Sequence, residues 1–184
     1  MRILSTLIVP LSLLLSTLAA PGNALADSRH ELTRSARRAL STLYKSTPGT
    51  SELGHHAAGI LVFPSIVKGG FIIAAQYGQG VLFKGDSVAG YYNSTGGSWG
   101  LQAGAQKFSY VLFFMTQDDL HYLDQSAGWE VGTAPNLTVL DRGFSTSISS
   151  TTLRKGVYAF FFGQKGLMAG LSLQGTKITK IENP

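Results

Sequence analysis

From Gly59 onward the apolar residues recur with a period of two, in short runs at intervals of about 8 to 12 residues with glycines among them. Phe71, Ile73, Ala75 and Tyr77 alternate with Gly70, Ile72, Ala74 and Gln76. Between Ser98 and Gln106 the alternation is cleanest. Trp99, Leu101, Ala103 and Ala105 take one face, and Ser98, Gly100, Gln102, Gly104 and Gln106 take the other. Glycine repeated on one face lets another backbone or a large aromatic approach closely. The pattern predicts about ten short strands, closing with segments at 157–163, 167–174 and 177–181. A parallel sheet would need interleaved helices, so the spacing favours an antiparallel barrel or sandwich. Phe113, Phe160 and Phe162 sit on apolar strand faces and are expected in the core, with Trp99 and Leu101.

A helix precedes this body. Over residues 28–45 the apolar positions Leu32, Ala36, Ala39, Leu40 and Leu43 fall on one helical face. Arg34, Arg37, Arg38, Ser41 and Lys45 fall on the other side. Ser28 and Glu31 form a capping-box pattern. The segment holds five Lys/Arg and one Glu, 5 − 1 = +4. Thr47-Pro48-Gly49 stops it, and Glu52–Ala58 adds a turn or two of helix. The fold class is therefore α+β, mainly β: an amino-terminal amphipathic helix on a barrel- or sandwich-like antiparallel body.

Residues 1–26 stand apart. Arg2 is the only charge before Asp27, Ile3–Leu18 is largely apolar, and Ala24-Leu25-Ala26 ends the stretch. These are the parts of a cleavable secretory signal. The run is shorter and more polar than the ~20 residues a membrane span needs. Cleavage after Ala26 leaves 184 − 26 = 158 residues and a net charge of 5 − 1 = +4. The expected organisation is a signal peptide at 1–26, a basic helical head at 27–58 and a glycine-rich body at 59–184. The expected location is the periplasm, the outer envelope or the exterior.

No enzymatic constellation emerges. Without cysteine the chain has no disulfide framework, thiolate metal site or cysteine nucleophile. The histidines at 30, 55, 56 and 121 make no metal-ligand spacing, and His55-His56 reads as a solvated pair. Asp118-Asp119 opens a short helix over 118–124, where carboxylates favour the positive end of the dipole, so capping is preferred to acid–base chemistry. Lys84-Gly85-Asp86 reads as a hairpin turn. No Gly-x-Ser-x-Gly elbow or phosphate loop is present, and no motif calls for a cofactor. Nucleic acid is a poor partner: after Ala57 the charge is scattered, nine basic against seven acidic residues.

Several ordered blocks resemble one family. Gly59-Ile60-Leu61-Val62-Phe63-Pro64 with Lys68-Gly69-Gly70-Phe71 looks like the opening of the SYLF domain. Tyr91-Tyr92, Ser98–Gln106, Phe113-Phe114-Met115-Thr116 and the stretch from Val157 to Ile178 agree with it. The resemblance implies lipid binding, since eukaryotic members resemble one another in binding phosphoinositides and some yeast members are tied to actin. Exported bacterial members look like isolated versions of the domain. An exported chain does not meet cytoplasmic partners, which leaves anionic phospholipid as the portable part of the resemblance.

The expected function is reversible, non-enzymatic binding to an anionic phospholipid surface. Arg34, Arg37, Arg38 and Lys45 are the first candidates, at ~1 kcal/mol each near such a surface. Lys68, Lys107 and Lys165 are reserve candidates, which strand-connecting loops could present together at one barrel end. Two readings of the helix stay open: its apolar stripe enters a membrane, or it packs on the body while the arginines are solvated. The alternative function is a structural or host-facing protein that binds a protein partner through exposed loops such as Ser145–Thr152.

Overall fold

A computed structural model describes residues 21–124, 128–131, 137–140, 155–166 and 175–182. Helices α1 (Pro21–Ser46) and α2 (Thr50–His56) lead into strands β1 (Gly59–Lys84) and β2 (Ser87–Phe114). After them come α3 (Gln117–His121), a 3-10 turn at Tyr122–Asp124, β3 (Trp129–Glu130), β4 (Leu137–Leu140), β5 (Val157–Gly166) and β6 (Thr176–Lys180). The sheet runs β3-β6-β2-β5-β4, with β1 also on β2, and curls into a half-barrel. The β content and the amino-terminal helix match the sequence expectation.

The strand count does not. Where about ten short strands were expected, β1 and β2 are 26 and 28 residues long. They form one antiparallel hairpin closed by Gly85-Asp86, with Gly85 at φ 57°, where a tight hairpin turn favours glycine. Residues expected to end strands instead bend them. Pro64 lies in a register shift between Phe63 and Ile66, a bulge that tolerates its missing N–H. The Ser109 hydroxyl donates to the Pro64 carbonyl at 2.8 Å. A second shift falls between Phe71 and Ile73. There the hairpin folds back, so that Gly80 lies against the Phe63 ring and the Val62 carbonyl. A Cβ at Gly80 would overlap both, which is why glycine stands there. One pairing also departs from the antiparallel expectation: β4 runs parallel to β5, from Leu137↔Val157 to Leu140↔Phe160.

The sheet carries a core on each face. Inside the curl, Leu61, Phe63, Tyr110, Leu112, Phe114 and Ile178 pack with Leu120, Leu123 and Trp129. On the convex face, Val62, Val111, Phe113, Phe160 and Phe162 form a layer that α1 and α2 cover with Ala36, Leu43 and Leu53. Phe113, Phe160 and Phe162 are buried as expected. The side chains of Trp99 and Leu101 lie outside the described residues, as do the loop at Ser145–Thr152 and the strand expected over 167–174. At the end of the Ser98–Gln106 stretch the polar face turns inward: Ala105 is exposed and Gln106 is buried. Gly104 has φ 134° and open space around its Cα, so backbone conformation and not close approach accounts for it.

α1 begins at Pro21, so Ser28 lies inside the helix and not at its start. Residues 1–20 of the expected signal lie outside the described residues. Among the described residues no helix is long and apolar enough to cross a membrane. At the other end, Gly49 adopts φ 82° and separates α1 from α2, as Thr47-Pro48-Gly49 predicts. Asp119 caps α3 reciprocally with Thr116. Its Oδ2 accepts from Thr116 N at 3.0 Å, Thr116 Oγ1 at 2.6 Å and Gly156 N at 3.1 Å. The carboxylate thereby ties the helix to the start of β5, a structural role as expected.

Candidate functional site

The apolar stripe of α1 lies on the sheet. Ala36 and Leu43 are fully buried, and Leu32, Ala39 and Leu40 pack against the convex-face core. In this conformation the stripe from Leu32 to Leu43 is turned onto the sheet.

The helix cations divide by the direction in which they project. Arg37 turns toward the body. Its Nη2 donates to the Asp86 carbonyl at 2.7 Å, and its guanidinium lies 4.8 Å from the Phe83 ring centroid. Arg29 sits 5.3 Å over the Tyr91 ring, beside the Thr33 Oγ1–Tyr91 OH contact of 3.1 Å. These two arginines pin α1 to the closed end of the hairpin, Arg37 to Phe83 of β1 and the turn, Arg29 to Tyr91 of β2. Arg34, Arg38 and Lys45 are exposed. Arg38 donates to Ser35 Oγ at 3.0 Å, and Arg34 is one turn before it on the same helix face.

Arg38 lines a groove of about 560 Å³ between α1 and the sheet. Its walls include Leu32 and Glu31 from the helix, Pro64 and Ser65 from β1, Lys107 and Ser109 from β2, and Phe162 from β5. Lys107 is directly opposite Lys165 on the neighbouring antiparallel strand. Two like charges so placed repel, and the pair weakens the sheet unless an anion lies between or above them. Both lysines are exposed.

Lys68 is only 7% exposed and stands opposite Gln106, itself buried. It is adjacent in register to the Lys107–Lys165 row but on the opposite face of the sheet. The three reserve lysines therefore gather at one end of the barrel without sharing a surface. Strand alternation determines this: 68 and 107 are neighbours across β1 and β2 but not partners. Among the described residues, no donor reaches the buried Gln106 Oε1.

Sequence reasoning missed Ser109 and Phe162 as groove walls. It also missed that Val67, Phe71, Ile72 and Ile73 are exposed. The signal was present: Lys68-Gly69-Gly70 precedes an apolar triplet, and two glycines together favour a corner in which the next side chains need not face the core.

A second groove, of about 400 Å³, lies between both helices and the hairpin tip, with Arg37, His55 and Asp86 on its walls. His56 bonds back to its own helix, Nδ1 to the Glu52 carbonyl at 2.9 Å. Among the described residues no group of three or more His, Asp or Glu could hold a metal ion. Three tyrosines have perturbed acidities. Burial pushes the Tyr110 hydroxyl far up, opposed by its 2.7 Å bond to Ser94 Oγ. Burial raises Tyr44, and burial with the Asp119 charge raises Tyr158. All three stay neutral donors at physiological pH and offer no acid–base pair.

The family model described as Ysc84, Las17-binding protein actin regulator, matches residues 95–183, the region that carries β3 to β6 and most of the cationic row. No curated protein matches the chain.

Proposed function

Because residues 95–183 belong to the Ysc84 (SYLF) family, we propose that this protein is a non-enzymatic lipid-binding module of the cell envelope. It is exported by residues 1–26 and binds anionic phospholipid surfaces reversibly. The family description names Las17 binding and actin regulation for its namesake. A chain exported from the cytoplasm meets neither, while anionic headgroups are present on envelope membranes.

The observation that carries the reading is the Lys107–Lys165 pair, opposed across the sheet beside the groove that holds Arg38. Phosphate oxygens above this row would relieve the repulsion and accept from the guanidinium. Arg34, Arg38, Lys107 and Lys165 supply roughly 4 kcal/mol near an anionic surface. Lys45, at the last turn of α1, adds to the field from farther along the helix.

Co-sedimentation with phosphatidylglycerol-rich and phosphatidylcholine vesicles tests this. The parent should bind the former, with affinity falling between physiological salt and 1 M as the Debye length shrinks from ~8 to ~3 Å. Lys107→Gln with Lys165→Gln should weaken binding about thirtyfold, the equivalent of two ~1 kcal/mol contributions. A folded double variant that binds as tightly as the parent would remove the row from the site.

A further inference from the structure

The corner of the hairpin presents apolar side chains to water. Phe71 is 76% exposed, Val67 55%, Ile73 52% and Ile72 49%. Isolated apolar side chains on a surface are ordinary, but here three are consecutive and a fourth is four residues away. The backbone holds them there. Ile72 has φ 66°, the one positive-φ non-glycine among the described residues. A β-branched residue avoids that region. The pairing passes from Phe71↔Ala103 to Ile73↔Trp99 around it. On the inner side of the bend, a Cβ at Gly70 would overlap the Ile73 carbonyl and the Ala74 Cα, so only glycine lets the chain double back. The turn at Ile72 lets it face outward together with its odd-numbered neighbours.

The corner shares a face with the cationic row. Val67 is directly opposite Lys107, which is opposite Lys165, and direct partners point to the same side of a sheet. Pairing is regular from Ile66 to Phe71, so the face of Val67 is also that of Phe71. Four residues of strand place the row ~13 Å behind the tip. β1, β2 and β5 contain lysines but no Asp or Glu. A second copy docking through these strands would set lysine against lysine. An apolar tip on strands that carry cations and no acid, with Glu31 of α1 the acid on the wall of the groove beside Lys107, complements a surface that is anionic outside and hydrocarbon beneath.

We infer that the Val67–Ile73 corner inserts into the acyl boundary of an anionic bilayer while Lys107 and Lys165 engage the headgroups behind it. This rests on the lipid-binding reading above and adds the inserting element, which is the hairpin corner and not α1. Interfacial elements bury ~5–10 Å below the surface, within reach of Phe71 on a tilted strand when the row is at headgroup level.

The test uses the mature chain and vesicles of phosphatidylglycerol and phosphatidylethanolamine. Phe71→Trp is compared with the parent for fluorescence quenching by brominated acyl chains, and Phe71→Ser with Ile72→Ser is assayed by co-sedimentation. The tryptophan variant should be quenched more strongly than the parent, whose Trp99 and Trp129 both chains share. The serine double variant should bind at least tenfold more weakly, with most of the loss persisting at high salt, and should keep the parent's far-ultraviolet circular dichroism. If the parent sediments with vesicles but Phe71→Trp is quenched no more than the parent and the serine variant binds within twofold, insertion is overturned while lipid binding stands. If the parent binds no vesicles, both readings fall. A vesicle-independent dimer that the serine variant abolishes would reassign the corner to self-association and overturn the inference.

Discussion

The three arginines that look equivalent in sequence should separate cleanly in experiment. Arg37→Gln removes a bond from a charged group to the Asp86 carbonyl and a cation–π contact with Phe83. Phe83 is 2% exposed, so the ring face is held in place, while the arginine is in contact with solvent. A net hydrogen bond contributes ~0.5–1.5 kcal/mol and an exposed cation–π contact ~0.5–1 kcal/mol. The loss should be ~1–2 kcal/mol of folding stability. With a urea slope of about 2 kcal/mol/M, the midpoint should fall by ~0.5–1 M. Arg34→Gln and Arg38→Gln should move the midpoint by less than about 0.5 kcal/mol equivalent. Vesicle affinity should show the opposite order. Arg34→Gln and Arg38→Gln should each lose about fivefold, near ~1 kcal/mol, while Arg37→Gln stays near the parent. Combining Arg37→Gln with Phe83→Leu gives a cycle whose coupling energy should be at least ~0.5 kcal/mol. Unchanged stability in Arg37→Gln, with vesicle binding reduced as much as in Arg34→Gln, would refute the division of the helix into a docking side and a lipid side.

Phe113 is fully buried between Tyr44, at 6.5 Å, and Phe160, at 5.6 Å edge-on. Phe113→Ala should cost ~3–5 kcal/mol in urea unfolding and loosen α1 from the sheet; a loss under about 1 kcal/mol would contradict the packing. Alkaline pH should destabilise the fold: burial holds the Tyr110, Tyr44 and Tyr158 hydroxyls above their ordinary pKa, so the unfolded chain releases these protons first. Stability from these groups should hold below pH ~10 and decline above it, visible as a urea midpoint that is level from pH 8 and falls beyond about pH 10. Amino-terminal sequencing of exported material should begin at Asp27, which would bring Ser28 and Glu31 to the start of the processed helix; retention of Arg2 in the stable product would exclude soluble export.

Periodicity made the two faces of the sheet legible where side chains simply alternate, and so Phe113, Phe160 and the α1 stripe were located correctly. It failed where one residue does two things. Pro64, Gly70, Gly78 and Gly80 look like strand ends, but they are the places where a continuous strand bulges, bends and passes close to itself. Local sequence records that a backbone is unusual there; which distant segment makes it so is a tertiary fact. The same limit governed the cations. Lys107 and Lys165 become a pair only through the β2–β5 register, and Lys68 leaves their company by one step of the pleat. Arg37 differs from Arg34 and Arg38 because the Asp86 carbonyl, 49 positions away in sequence, comes within reach of its guanidinium.

The long hairpin also sets the order in which the molecule can close. Its pairs widen from Lys84↔Ser87, three residues apart, to Gly59↔Phe114, 114 − 59 = 55 apart, so it can zip outward from Gly85-Asp86 with little loop entropy lost at each step. The rest is different in kind. Phe114↔Val157 spans 157 − 114 = 43 residues, and Tyr92↔Lys180 spans 180 − 92 = 88. Nothing can seal Tyr92 and Ile178 into the inner core before the last strand is present. Non-local pairing of this kind slows folding. However early the hairpin zips, the inner core stays open at Tyr92 until β6 arrives to supply Ile178.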